Sequence, residues 1–137
     1  VGGGKVLQVV AFESASTAST NSTSTESDTG LTVTITPSAT SSKVLLYVSH
    51  PHIYTDVQAN RLHLYLYQDS TKITSMERFG ELATGQHAFS MLRLFTTNTT
   101  SAVTWKTTMK LQTGNIGYAN LYGALMSMVA IEIGVQI

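Results

Sequence analysis

Two closely spaced histidines have the clearest potential for metal chemistry. His50-Pro51-His52 places two imidazoles two positions apart, and residues so spaced in an extended segment project to the same side, where both could bind one metal ion. Three copies of the pair around a threefold axis would enlarge such a site. Pro51 interrupts strand pairing where it lies, so a strand end with two exposed histidines is the alternative. We predict no resident metal, with His50 and His52 as the candidate ligands if one is present.

Two glutamates are the nearest candidates for acid–base catalysis. Glycoside hydrolysis needs two carboxyls about 5–10 Å apart in a cleft, and Glu77 and Glu81 would come close to each other only in a helix. Arg78 lies between them and favours ordinary surface pairing. The serines stand in no nucleophile-elbow motif, and the glycines at the start of the chain lack the preceding strand that a phosphate-binding loop needs. The sequence therefore predicts no enzyme and no cofactor.

Tyrosines offer a better basis for recognition. In the segment 61–67, polar and aromatic residues alternate with leucines, so an extended strand would gather them on one face. Such a face can stack on a sugar ring and form hydrogen bonds with it, or it can pack against a neighbouring subunit. Tyr118 and Tyr122, beside glycines, form a second candidate cluster. The predicted receptor-binding residues are Tyr54, Arg61, His63, Tyr65 and Tyr67.

The composition excludes several classes of function. The chain has 137 residues and a mass of 14.7 kDa, with eight basic residues balanced by eight acidic ones and no cysteine. A neutral chain without a basic run is a poor nucleic-acid binder, because affinity for phosphates comes from counterion release. The lack of cysteine excludes a disulfide framework and a thiolate site. No apolar stretch approaches the length of a membrane span, so we expect no membrane insertion.

Alternation of apolar and polar residues predicts an all-β fold. Leu31, Val33 and Ile35 alternate with threonines, and this period of two is typical of strands. About eight short strands in one small domain predict an antiparallel β-sandwich with jelly-roll-like topology. The predicted strands are Lys5–Phe12, Gly30–Thr36, Lys43–His50, Arg61–Gln68, Lys72–Phe79, His87–Thr97, Ala102–Gln112 and Leu121–Val135.

The sequence predicts one domain preceded by a short linker. Residues 1–4, with three glycines, predict the end of a flexible linker, and residues 5–137 form the single sandwich domain. Between the first two strands, residues 14–29 are mostly serine and threonine. We expect this segment to be partly ordered, because threonine favours strands.

Several strands are apolar on both faces. In the third predicted strand, Lys43–His50, Leu45 and Tyr47 oppose Val44, Leu46 and Val48, and the last strand shows the same property. A two-layer sandwich buries only one face of each strand, so another subunit or covering loops must shield the second face. Large exposed apolar patches are uncommon on monomers, which favours an oligomer.

The first third of the chain resembles a known family. The segment KVLQVV, then a Ser/Thr-rich stretch, then DTGLTVTITPSATSSKVL is similar to a domain of tailed-bacteriophage virion proteins, including predicted tail-fibre proteins. The ending MVAIEI looks like the closing strand of that family. These motifs encode strands and a turn rather than chemistry. The segment between residues 51 and 85 departs most from the family pattern and is where a host-binding surface would be expected.

The resemblance implies a virion structural protein on the outside of a phage particle. The fold it implies is a homotrimeric β domain without enzymatic activity, in contact with other virion proteins. We expect it to attach the virion to a glycan or an outer-membrane receptor of the host, through three sites whose combined avidity exceeds each affinity. The alternative is a purely structural capsid-decoration or trimerisation module without receptor binding.

Overall fold

The computed structural model describes residues 4–56, 61–73, 80–82, 85–113 and 115–135. Within these residues the chain forms strands joined by turns, with one short 3-10 segment at Leu121–Gly123. The strands are β1 (Lys5–Ser14), β2 (Ala18–Thr20), β3 (Ser27–Ile35), β4 (Lys43–Thr55), β5 (Leu62–Gln68), β6 (Thr71–Lys72), β7 (Gly80–Leu82), β8 (Gly85–Thr96), β9 (Val103–Leu111), β10 (Gly117–Ala119) and β11 (Met126–Gly134).

The strands form two antiparallel sheets. In the first sheet β11 and β10 lie end to end along one side of β4, with β1 and β2 beyond them, and β8 pairs with the other side of β4. The second sheet has the order β3–β9–β5, with β6 and β7 both on the far side of β5. Counting each end-to-end pair as one position gives eight positions in the alternating order of a jelly roll. The predicted jelly-roll-like antiparallel sandwich is therefore confirmed, while its trimeric state stays a prediction.

The core lies between the two sheets and follows the alternation in the sequence. In β3 the apolar residues are buried and the intervening threonines are exposed, as a half-buried strand requires. Trp105 of β9 is fully buried and packs against Phe95 of β8, with ring centroids 5.4 Å apart. The largest fully buried side chains are Trp105, Leu31, Ile35, Leu46, Ile53, Leu62, Leu64, Leu66, Met109, Leu111, Met126 and Met128.

Three predicted strands differ from the structure by more than three residues at one end, and the first of them, predicted at Lys43–His50, continues to Thr55. The segment predicted as one strand at Leu121–Val135 begins only at Met126. The preceding residues are interrupted because Asn120 and Tyr122 have positive φ angles of 62° and 68°, a left-handed conformation that ends a strand. The predicted strand Lys72–Phe79 overlaps β6 at Lys72 only, and residues 74–79 lie outside the described residues. The Ser/Thr-rich segment is partly ordered, as predicted, through β2.

A buried carboxylate fastens one end of the first sheet. Glu132 of β11 is fully buried on the core side. It accepts hydrogen bonds from Gln8 Nε2 at 2.6 Å, Ser38 N at 2.7 Å and Ser38 Oγ at 2.8 Å. Burial alone would raise the pKa of Glu132, but these hydrogen bonds, led by the one from Gln8, outweigh burial and lower the pKa to about 2. Glu132 thus links β11 to β1 and to the turn between β3 and β4.

Candidate functional site

The outer face of the first sheet carries apolar residues on each of the four neighbouring strands β1, β11, β4 and β8. Residues of β4 alternate: Val44, Leu46 and Val48 are fully buried, so Leu45 and Tyr47 project to the outside. The strand register places Leu45 beside Ile131 and Leu94, and Tyr47 beside Val129 and Leu92. We call this surface the apolar patch; its residues are Val9, Ala11, Leu45, Tyr47, Leu92, Leu94, Val129 and Ile131.

The apolar patch is open in the structure of one chain. Leu92 is 63% exposed, Val9 57% and Leu94 50%. A row with Glu13 and three serines bounds the patch at one end, whereas the row at the other end contains Lys43 and Thr96 together with the apolar residues Val6 and Ile133. The sequence-based prediction that β4 and β11 carry two apolar faces is confirmed, and the outward residues of β8 extend the second face.

Four aromatic rings gather on the same sheet beyond the Glu13 row. His52 and Tyr122 meet edge to face, with ring centroids 5.3 Å apart. Tyr54 and Tyr118 lie on paired strands with their centroids 6.1 Å apart and their planes tilted by 34°. We call these four residues the aromatic cluster. Tyr122 is its most exposed member, at 78%.

Asn120 holds the aromatic cluster in place. Its side chain is fully buried, and its Nδ2 donates to the carbonyl oxygens of Ser14 and Ser16 at 3.3 and 3.4 Å. Its backbone N–H donates to the carbonyl of His52 at 2.7 Å, and its own carbonyl accepts a hydrogen bond from Thr17 Oγ1 at 2.8 Å. These bonds tie the turn before Tyr122 to β4 and to the break between β1 and β2.

The two candidate metal ligands, His50 and His52, do not share a side of their strand. The pairing of β4 with β8 shifts register between His50 and Ile53, because Pro51 and His52 form a bulge there. His50 therefore points into the core, fully buried, and its Nε2 lies 3.0 Å from Thr107 Oγ1. His52 stands against Tyr122 outside. The assumption that residues two apart project together is wrong at this position.

His50 is part of a polar link between the sheets. Thr107 Oγ1 lies 2.5 Å from Thr29 Oγ1, so one chain of contacts joins β4, β9 and β3 inside the core. Burial lowers the pKa of His50 from 6.5 to about 4, because a charged imidazolium would lose its hydration without gaining an anionic partner. Burial therefore keeps His50 in its neutral form at pH 7.

The predicted receptor-binding residues are divided between the two outer faces. His63, Tyr65 and Tyr67 do share the outer face of the second sheet, as the alternation predicted, with Arg61 exposed just before β5. Tyr54 belongs instead to the aromatic cluster on the first sheet. The five residues therefore do not form one surface, and their role in binding stays a prediction.

On the outer face of the second sheet, hydrogen bonds and an ion pair within the chain already occupy the surroundings of Tyr67. Glu26 accepts hydrogen bonds from Tyr67 Oη at 3.0 Å and Thr108 Oγ1 at 2.6 Å, and pairs with Lys72 Nζ at 2.8 Å. Burial opposes the ionised form of Glu26, but hydrogen bonds from Lys72, Thr108 and Tyr67 lower its pKa below the usual value. Lys72 Nζ also lies 4.2 Å from the centre of the Tyr65 ring, which is itself buried. Little ring surface is left there for a ligand.

The remaining sequence candidates give no catalytic or metal geometry. Glu77 lies outside the described residues, and the Glu81 side chain is likewise not described. Across the described parts of the chain, no group of three or more His, Asp or Glu side chains is placed to hold a metal ion. In those same parts no helix is long and apolar enough to cross a membrane.

Sequence reasoning missed three residues that contribute to these surfaces. Leu92 and Leu94 complete the apolar patch, and the signal for them was present in the run MLRLF, whose leucines alternate with Met91, Arg93 and Phe95. Asn120, which positions the aromatic cluster, had a weaker signal: asparagine tolerates the left-handed conformation better than most residues.

Sequence comparison finds no relative, whereas the fold has solved counterparts. No protein-family model and no curated protein match the chain. The chain is similar to a chain in the crystal structure of the infectious bursal disease virus VP2 subviral particle, with a TM-score of 0.54 and 14% identity over 93% of this chain and 33% of that chain. A structure of the Gx strain of the same virus matches with a TM-score of 0.38 and 10% identity over 93% of this chain and 41% of that one.

The first of these similarities supports the β-sandwich fold. This chain spans about a third of the length of the VP2 chain that it matches. At 14% identity the likeness concerns architecture, and function has to be argued from the surfaces described above.

Proposed function

We propose that this chain is a virion structural protein, a jelly-roll module that packs against copies of itself through the apolar patch. The observation that carries the proposal is the continuous apolar outer face of the first sheet, with Leu92, Val9 and Leu94 at least half exposed. A chain of the VP2 subviral particle has a similar architecture, and the sequence resemblance to phage virion domains points to the same class.

A second copy of this chain is the occupant that the patch fits best. Removing apolar side chains from water is the main driving force of association, and a patch of this breadth is uncommon on a monomer. Glu13 and Lys43 lie at opposite ends of the patch. Copies arranged head to tail around a threefold axis would bring the Glu13 end of one patch beside the Lys43 end of the next, which favours a defined register. We propose a closed homotrimer, following the resemblance.

One substitution tests the role of the apolar patch. Leu92→Asp is expected to convert a species near three times 14.7 kDa into a monomer, because a carboxylate buried without a partner costs several kcal/mol. Light scattering after size-exclusion chromatography at micromolar concentration measures the mass. Leu92 is 63% exposed in the single chain, so the fold should survive the change.

Thr71→Asp is the matched control for this test. Thr71 is an exposed residue of β6 on the second sheet, away from the apolar patch, so its aspartate variant should keep the wild-type mass. A wild-type chain that is already monomeric would contradict the proposal. So would a Leu92→Asp variant that keeps the wild-type mass.

Attachment to the host is the finer function that we propose for this module. The aromatic cluster favours it, because four rings gather beside the apolar patch and Tyr122 is largely exposed. The resemblance to tail-fibre proteins would place the module on the exterior of a bacteriophage virion. The alternative is a capsid-decoration or trimerisation module that binds no receptor, and in neither case do we propose an enzyme.

A further inference from the structure

We propose that the aromatic cluster of His52, Tyr54, Tyr118 and Tyr122 is a binding site for an uncharged sugar ring. The inference rests on the attachment role proposed above and names the ligand class and the residues. Of the five predicted receptor-binding residues only Tyr54 belongs to this cluster, while Tyr118 and Tyr122 were the second candidate cluster of the sequence.

The rings present the surface that a sugar requires. The C–H face of a pyranose is apolar and stacks on aromatic rings, while its hydroxyls need hydrogen-bond partners at the rim. Tyr122 is 78% exposed, and its ring stands edge to face with His52 at 5.3 Å. Tyr54 and Tyr118 lie side by side at 6.1 Å. The cluster thus combines ring faces with three phenol hydroxyls and an imidazole.

Tyr122 has a left-handed backbone conformation, which is unfavourable for a residue other than glycine. Its φ of 68° and ψ of 15° are left-handed, and Asn120 two residues earlier is left-handed as well. Such conformations cost a residue other than glycine about 1–3 kcal/mol and persist only where the surroundings enforce them. The hydrogen bonds of Asn120 to Ser14, Ser16 and His52 fix the turn that leads into Tyr122. The backbone that carries the ring is therefore ordered before a ligand arrives, so binding loses little backbone entropy.

His52 provides polar atoms beside the exposed ring. Its Nδ1 and Nε2 are shielded from solvent and have no hydrogen-bond partner within the described residues. The neutral imidazole carries one donor and one acceptor, and a sugar hydroxyl can satisfy either. A ligand that shifts the Tyr122 ring would reach these atoms, so binding would relieve an unfavourable burial.

The neighbouring apolar patch lacks these properties. Apart from Tyr47, its side chains are aliphatic, with no hydrogen-bonding group for a hydroxyl. The four members of the aromatic cluster include no carboxylate and no ammonium or guanidinium group, which favours an uncharged ligand over a phosphate or a sulfated one.

Saturation-transfer NMR tests this site directly. The probes are the methyl glycosides of glucose, galactose, mannose and N-acetylglucosamine, added singly at millimolar concentration to the wild-type chain. We expect transfer to the ring C–H protons of at least one glycoside. Tyr122→Gly should weaken that binding about tenfold, the effect of removing one stacked ring worth about 1.4 kcal/mol.

Tyr122→Gly also separates binding from folding. Glycine adopts a positive φ without strain, so the free energy of unfolding of this variant should equal or exceed that of the wild type. Leu125→Ala is the matched control: Leu125 is 55% exposed a few residues further along and lies outside the cluster, so its removal should leave glycoside binding unchanged. Absence of transfer from all four glycosides would overturn the inference, as would unchanged binding by Tyr122→Gly.

Co-sedimentation with outer-membrane vesicles from a panel of Gram-negative bacteria distinguishes this inference from the attachment role. Vesicle binding that disappears after periodate oxidation of the vesicle glycans supports both. Binding that survives oxidation supports attachment but contradicts a sugar ligand. A chain that sediments with none of the vesicles contradicts the attachment role itself.

Discussion

Acidification from pH 7 to pH 4 is expected to lower the free energy of unfolding by about 3 kcal/mol through His50 alone. The unfolded chain binds a proton at His50 below pH 6.5, whereas the folded chain does so only near pH 4. The contribution of neutral His50 to the free energy of unfolding is therefore fully present above pH 6.5. It is lost as the pH falls towards 4, at about 1.4 kcal/mol for each pH unit. Urea unfolding at a series of pH values and a fixed protein concentration measures the loss.

Two variants assign this loss to His50. His50→Gln should remove most of the pH dependence between 6.5 and 4, since glutamine does not titrate there. His52→Gln, two residues away on the outside, should leave that dependence in place. If the wild-type stability were flat across this interval, or if His50→Gln kept the wild-type slope, the buried neutral histidine would be the wrong explanation.

Replacement of Glu132 is expected to cause a loss of similar size at neutral pH. Glu132→Ala leaves the backbone N–H of Ser38 and the amide of Gln8 without their buried acceptor, and unsatisfied groups of this kind cost about 1–3 kcal/mol. We expect the free energy of unfolding to fall by about 3 kcal/mol. Thermal and urea unfolding of the purified variant give the value.

The pH dependence of the wild type adds a second test of Glu132. Because its folded pKa is about 2 against a usual 4.5, its contribution is present above pH 4.5 and is lost as the pH falls towards 2. Glu132→Ala should lack that part of the acid loss. Asp28→Ala is the control, because Asp28 forms an exposed ion pair with Lys106 at 3.0 Å and such pairs contribute less than about 1 kcal/mol. Equal losses in both variants would contradict the role given to Glu132.

The layers of this fold could be predicted from local alternation. Leu31, Val33 and Ile35 fall on the core face because successive strand residues point in opposite directions. Val44 and Leu46 lie inside for the same reason. The same alternation placed Leu45, between them, on the outer face. Trp105 alternates with Thr104 and Lys106 in the same way and is fully buried.

The candidate site depended on features that alternation cannot show. The bulge at Pro51 and His52 reverses the side on which His52 projects, so counting by two assigned the wrong neighbour. Whether Leu94 and Leu45 meet is decided by the register between distant strands, and Tyr122 joins His52 only because the chain turns left-handed at Asn120. Each of these follows from tertiary pairing rather than from neighbouring residues.

The breaks between strands of the first sheet should affect the rate at which its amide hydrogens exchange with solvent. The break between β1 and β2 lies beside the break between β10 and β11, whereas β4 runs through from Lys43 to Thr55. The short strands beyond the breaks are joined by only three residue pairs, so their amides should exchange with deuterium through local opening, well before those of β4 and β11. The end that carries the aromatic cluster can then loosen and close again while the apolar patch keeps its shape.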